Sequence, residues 1–229
     1  MYYCVIIVLS IIYGVKRVKY QKPLSSAVRR RLPRYYRYLS TLLELGISKI
    51  SSKDLGNRMG ITSSQVRQDF SSFGGYGLQG YGYDVKTLHQ EIGNILGLNT
   101  IRNMIIIGAG SLGQALAKHK EFEKKGFKVI GIFDVKTELI GQKITEHEIR
   151  HLDTLPQFLE NNQVDIAILT IPENFGREVA AYITELGIKA IWNFVPIELK
   201  TPDDVIVENI HLIDSLMVLG YNYKHNRHE

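Results

Sequence analysis

Gly108, Gly110 and Gly113 follow the uncharged run Met104-Ile105-Ile106-Ile107 and open a helical pattern from Ser111 through Ala117 towards Glu123. A short apolar run of this kind reads as a buried parallel strand. Strand, G-x-G-x-x-G and helix in that order suit the pyrophosphate of a dinucleotide. The first glycine makes the tight turn, the second lets backbone approach the phosphates, and the third lets the helix pack close to the strand. The anion then lies on a helix N-terminus, against Ala109, Ser111 and Leu112 between the glycines. A second strand, Phe127 to Phe133, ends in Asp134 about 20 residues on, where a carboxylate receives the adenosine ribose hydroxyls. Asp134 also repels a 2′-phosphate, so NAD(H) is expected rather than NADP(H). Thr170 and Pro172, and then Asn193 and Phe194, stand at the ends of two later strands on the ligand edge of the sheet, where they would line the nicotinamide side. No His-Asp pair, active-site Lys or Tyr-x-x-x-Lys stands at a strand end to exchange a proton, so binding is favoured over turnover. An NAD-dependent oxidoreductase with a fused helical domain is the alternative. It has only one mononucleotide-binding region and a short remainder to work with.

The elements that must position these groups alternate. Leu155 to Asn162 reads as a helix, Val164 to Ile171 as a strand, Phe175 to Leu186 as a helix, Ile188 to Phe194 and Val205 to Ile210 as strands, and Ile213 to about Tyr223 as a final helix. Such alternation makes a parallel sheet with helices on both faces. The 229 residues, 45% of them hydrophobic, allow one large or two small domains with real cores. The single cysteine, Cys4, excludes an internal disulfide framework and a multi-cysteine metal site, as in a reducing cytoplasm.

The formal charge of +5 is unevenly placed. No Asp or Glu precedes Glu44, while Lys16, Arg17, Lys19, Lys22, Arg29, Arg30, Arg31, Arg34 and Arg37 all do, which points to an anionic partner. In the same part, Arg34 to Leu45 has apolar residues at helical spacing and stops at Gly46. Ser51 caps a short helix with Asp54 in its first turn, and Gly60 ends it. Thr62-Ser63-Ser64-Gln65 is a capping box for a third helix running to about Phe73. Helix, short helix, turn and helix form a helix-turn-helix. Ser63, Ser64, Arg67 and Gln68 face away from its core and suit phosphates and base edges in a major groove, Arg for guanine and Gln for adenine. Gln65 and the basic Arg31 and Arg34 are grouped with them as DNA-facing. Glycines and aromatics alternate from Gly74 to Tyr83, as in a hairpin wing whose tip approaches a minor groove. Asp84 to Leu98 is an amphipathic helix, expected as a connector.

Two stretches need separate treatment. Tyr2 to Val15 is almost wholly apolar but shorter than the roughly 18 to 20 residues a span requires, and no positive n-region precedes it. A weak membrane anchor, an extra packed element, and leader from a start placed too far upstream all remain open. The last is favoured and would need a non-standard start near Val15, Val18 or Leu24. His147-Glu148-Ile149-Arg150-His151 matches H-E-x-x-H, but zinc chemistry needs it helical. As a strand its histidines lie about 13 Å apart, beyond one ion, so no metal is expected.

Taken together, Arg31-Leu32-Pro33-Arg34-Tyr35-Tyr36-Arg37-Tyr38-Leu39, Gln65-Val66-Arg67-Gln68-Asp69-Phe70, Gly80-Tyr81-Gly82-Tyr83, the glycine fingerprint, Phe133-Asp134-Val135, Thr170-Ile171-Pro172, Trp192-Asn193-Phe194-Val195-Pro196 and Val207-Glu208-Asn209 closely resemble the Rex family of redox-sensing transcriptional repressors, over about Leu24 to Tyr223. The resemblance implies an α/β chain with an N-terminal winged helix-turn-helix domain, then a Rossmann-like NAD(H)-binding domain, then a C-terminal helix swapped onto the partner of a homodimer. The boundaries expected are an extension at 1–23, a DNA-binding domain with connector at 24–98, a nucleotide domain at 99–210 and a dimerisation helix with tail at 211–229. It further implies a cytoplasmic repressor that holds palindromic operator DNA when NAD+ dominates and leaves it when NADH binds. Gln79 and Tyr81 of the wing would touch the minor groove. Arg37, His119 and His211 would occupy the switch positions, where the family usually has Tyr in place of His119 and often Asp in place of His211. A paralogue with an altered or lost NADH switch is the nearest alternative.

Overall fold

Ser25 accepts a hydrogen bond from the Val28 amide and starts helix α1 (Ser26–Glu44) well before Arg34, where the periodicity becomes visible. Pro33 lies inside this helix. The bond that proline removes is the one to Arg29, and both residues are exposed, so solvent can serve the freed carbonyl. Ser51 caps α2 (Ser52–Met59) by accepting from the Asp54 amide, and Gly60 ends it at φ 66°. Thr62 caps α3 (Ser63–Ser71) by accepting from the Gln65 amide. The reciprocal half of the expected capping box is replaced, because the Gln65 side chain bonds Asp69 instead. Strand β1 (Lys49–Ile50) pairs antiparallel with β2 (Tyr83–Asp84). Helix α4 (Val85–Leu96), expected as a connector, is also part of the first core: Val85, Leu88 and Ile92 complete the core built by Leu32, Tyr35, Leu39 and Leu42 of α1 and Val66 and Phe70 of α3.

This computed structural model describes residues 23–74 and 82–225. Gln79, Tyr81 and the apolar stretch Tyr2 to Val15 lie outside the described residues. The chain divides into two compact units between Leu98 and Asn99.

The second unit contains β3 (Arg102–Ile107), α5 (Ser111–Ala117), α6 (Glu121–Lys124), β4 (Phe127–Asp134), β5 (Lys143–Ile144), β6 (His147–His151), α7 (Leu155–Asn161), β7 (Ile166–Leu169), α8 (Gly176–Glu185), β8 (Ala190–Asn193), β9 (Ile206–Asn209) and α9 (Leu212–His225). Its sheet runs in the order β5-β6-β4-β3-β7-β8-β9. Every pairing is parallel except β5 with β6. Alternate residues of β3 enter two cores, Ile105 and Ile107 on one face and Met104 and Ile106 on the other.

Apart from β5, this is the doubly wound order, with its reversal between β3 and β7. The expectation of a single mononucleotide-binding region is therefore corrected. The second half is present in β7, β8 and β9, abbreviated because no helix separates β8 from β9. The helix expected to run on towards Glu123 breaks after Ala117, since Lys118, His119 and Lys120 are exposed and offer nothing apolar to hold another turn. His147–His151 is a strand paired on both sides, so its histidines do not share a helical face. Among the described residues no helix is long and apolar enough to cross a membrane.

Candidate functional site

A cleft of about 730 Å³ opens at the carboxyl ends of β3, β4 and β7, lined by Gly108, Gly110, Asp134, Thr170 and Pro172 among others. In doubly wound sheets ligands bind at this reversal of strand order. Gly108 has φ 103°, and a Cβ there would lie 2.5 Å from the Thr170 carbonyl oxygen. Thr170 Oγ1 in turn donates to the Gly108 carbonyl at 2.8 Å, clasping the two strand ends. A Cβ on Gly113 would meet the Gly108 carbonyl oxygen at an impossible separation and Thr170 Oγ1 at 2.9 Å, so this glycine sets how closely α5 packs. A Cβ on Gly110 meets nothing within 4 Å. That open space lies before the first amides of α5, which have no intrahelical acceptor and suit an anion.

Asp134 is nearly buried and accepts from the Ala109 amide at 2.6 Å through one oxygen and the Lys136 amide at 2.9 Å through the other. A carboxylate has about four acceptor positions, which leaves capacity for a ribose diol. The glycine edge, the open space and this carboxylate fit a dinucleotide.

Of the four residues expected at the nicotinamide side, Thr170 and Pro172 line the cleft. Asn193 does not: it is fully buried, its amide nitrogen donating to the carbonyls of Val195 at 3.1 Å and Ile197 at 3.0 Å and to Asn209 Oδ1 at 2.8 Å. Its place at a strand end serves to fold the following loop back. Phe194 is half-buried and packs its ring on Trp192, 4.7 Å between centroids, against the core of the other sheet face. Phe175, Leu139 and Tyr182 also line the cleft, from loop and helix positions that no motif marks.

In the first unit, Ser64, Arg67 and Gln68 are exposed on α3 and Ser63 is half-buried. Arg67 is held before any ligand arrives, donating to Ser52 Oγ at 3.1 Å and Ser64 Oγ at 3.0 Å. Three other residues grouped as DNA-facing also have partners within the fold. Arg34 donates to the Met59 carbonyl at 2.8 Å, closing the C-terminal end of α2. Arg31 and Gln65 both turn to Asp69, which is completely buried. Arg31 reaches it with Nε at 2.6 Å and Nη2 at 2.7 Å, Gln65 at 2.8 Å and the Tyr35 hydroxyl at 2.9 Å. Burial alone would raise the Asp69 pKa, but the bonds from Arg31, Gln65 and Tyr35 outweigh it and hold the carboxyl below its ordinary value. Burial and the bond to Asp69 push the Tyr35 phenol up. The sequence signal for this cluster is an acid on the inward face of α3, between Val66 and Phe70.

The residues at the switch positions are each placed within their own unit. Arg37 is exposed on α1. His119 stacks on Phe122 at 4.7 Å. His211 is half-buried just before α9, its carbonyl accepting from the Asp214 amide at 3.2 Å.

A family described as "Putative DNA-binding protein N-terminus" matches residues 23–71, and one described as "CoA binding domain" matches 99–197. The redox-sensing transcriptional repressor Rex of Caldicellulosiruptor saccharolyticus is 52% identical over 201 residues, 88% of this chain and 92% of its own length. That of Clostridioides difficile is 50% identical over 206 residues, 90% of this chain and 98% of its own. Among solved structures, RSP in complex with β-NAD+ and operator DNA superposes with a TM-score of 0.85 at 50% identity, over 90% of this chain and 95% of that one. RSP in complex with β-NADH gives 0.84 at 48% identity, over 90% and 97%.

Proposed function

Because this chain belongs to the Rex family of redox-sensing transcriptional repressors, we propose that it represses transcription by binding operator DNA and is released when NADH fills the cleft at the β3–β7 reversal. It is a regulator, not an enzyme. The observation that carries this is the pairing, in one chain, of an exposed Arg67 and Gln68 on α3 with a glycine-edged cleft ending in Asp134. RSP, half identical to it, has been solved with both operator DNA and NAD+. Gly108, Ala109, Gly110, Ser111, Leu112 and Gly113 hold the pyrophosphate and Asp134 the adenosine ribose, with Thr170 and Pro172 at the nicotinamide. Ser63, Ser64, Arg67 and Gln68 face the major groove, with Gln79 and Tyr81 at the minor groove. Such a protein works in the cytoplasm, beside its DNA and its cofactor pool. Operator affinity compared with NAD+ and with NADH at one ionic strength tests the reading; binding must be weaker with NADH.

The working unit in this reading is a homodimer joined through α9. Leu212, Ile213, Leu216, Met217, Val218, Leu219, Tyr221 and Tyr223 of that helix are each 60 to 63% exposed. So much apolar surface on one helix marks an interaction face, and the family implies its partner is a second copy. NADH selects a dimer form whose two recognition helices no longer match half-sites one helical turn apart. Arg37, His119 and His211 are the groups through which that selection passes. Removing 212–225 is expected to give a chain that sediments as a monomer and binds operator at least about 100-fold more weakly, since a single half-site remains engaged. A dimer surviving the truncation would contradict the assignment of α9.

A further inference from the structure

We propose that Asp69 is the positioning residue of the DNA-reading helix, and that Arg31 serves this carboxylate rather than a DNA phosphate. The inference rests on the reading of the first unit as the operator-binding part. Asp69 stands on α3 next to the exposed Gln68 but points the other way, with a side chain 0% exposed. It is met by four donor atoms: Arg31 Nε and Nη2, the Tyr35 hydroxyl and the Gln65 amide nitrogen. An ionised carboxylate accepts about four bonds, so its capacity is filled.

Two of those partners, Arg31 and Tyr35, belong to α1, and the third belongs to α3 itself. A buried charge is tolerated only while it stays paired. Helix α3 therefore cannot roll about its axis or slide along α1 without stripping Asp69 of donors. The Tyr35 ring, 4.9 Å from that of Phe70 between centroids, sets the spacing of the same two helices. The cluster thus fixes the angle at which Ser64, Arg67 and Gln68 are offered to a groove.

Both remaining consequences follow from donor chemistry. Arg31 presents its planar fork side-on to Asp69 and is only 21% exposed, so it is withdrawn from solvent while its neighbours Arg29 and Arg30 are exposed. Gln65 must turn its nitrogen to a carboxylate, which has nothing to donate, and so keeps its amide oxygen and one remaining N–H for any other partner.

The test uses the full chain, the duplex that the wild-type protein enriches from a random library, and a scrambled duplex, each titrated over a salt series. The variants are Arg31→Gln, Asp69→Asn and the two combined. Each single change is expected to weaken binding to the enriched duplex at least about tenfold, the loss of charge-assisted bonds that aim the helix. Affinity for the scrambled duplex should stay within about twofold, and the slopes of log K against log salt should be unchanged, because phosphate contacts are intact. The combined variant should lose no more than the worse single one, as residues acting through one cluster do. If a lone buried charge unfolds the domain, the combined variant, which removes both charges, carries the same comparison. A slope shallower by about 1.8 in Arg31→Gln, about 0.9 for each half-site, would mean a lost phosphate contact and would overturn the proposal. So would parallel losses on both duplexes, which mark instability alone, or losses that multiply in the combined variant. A wild-type chain that enriches no duplex would bring down the operator reading itself, and this inference with it.

Discussion

Gly110→Ala is expected to leave the chain folded and to weaken NADH binding by about 100-fold or more. The residue has φ −70° and ψ −174°, extended backbone open to alanine, and its Cβ would meet no atom within 4 Å. Folding therefore has no reason to suffer. The methyl group nevertheless enters the space ahead of α5 where the pyrophosphate must come to reach the helix amides. Bonds from amides to a charged oxygen contribute about 1.5 to 3 kcal/mol each, so losing one or two weakens binding by that order. Gly113→Ala separates the two roles of the fingerprint. Its Cβ would collide with the Gly108 carbonyl and Thr170 Oγ1, forcing α5 off β3. Overpacking of this kind costs about 1 to 3 kcal/mol or more, so this variant should lose thermal stability as well as NADH affinity. Fluorescence titration with NADH, paired with thermal unfolding, distinguishes the two. Wild-type NADH affinity in Gly110→Ala would mean that the phosphates lie elsewhere.

The second large effect is expected from Arg67→Ala. Its guanidinium is already held by Ser52 and Ser64, so little side-chain freedom is lost when it meets a base. A good bidentate contact to guanine contributes about 1 to 3 kcal/mol of discrimination. The proposed homodimer would make that contact once in each half-site, so operator affinity should fall about 100-fold or more. Discrimination should relax at one base pair per half-site and persist elsewhere. Affinities for a set of duplexes carrying single base-pair changes measure this. Unaltered discrimination at every position would remove Arg67 from the reading surface.

The sequence announces its glycines more clearly than it does its polar cluster. The close approach of Gly108 and Gly113 to their neighbours is legible in advance because it depends on backbone alone, and strand, turn and helix are local. Caps at Ser51 and Thr62 were equally accessible, since a hydroxyl three residues before an amide needs no tertiary information. Asn193 turns into the protein rather than into the cleft, because a strand-end position says nothing about which way the side chain turns. Its amide ties down the loop after β8, while the half-buried Phe194 packs against the core behind the sheet. Arg31 and Arg34 look like phosphate ligands in a run of basic residues, and only the fold brings Asp69 and the Met59 carbonyl to meet them. Strand β5 has two residues and so no period to detect, while α4 shows its apolar stripe without showing that the stripe completes the core of α1.

Release of operator by NADH requires that the two ligands exclude one another through the protein. Coupling between two binding sites is reciprocal, so the most direct measurement is NADH affinity with and without saturating operator at fixed salt. About 100-fold weaker NADH binding in the presence of operator, equivalent to about 2.7 kcal/mol of coupling, is predicted. Equal NADH affinities in the two conditions would contradict it.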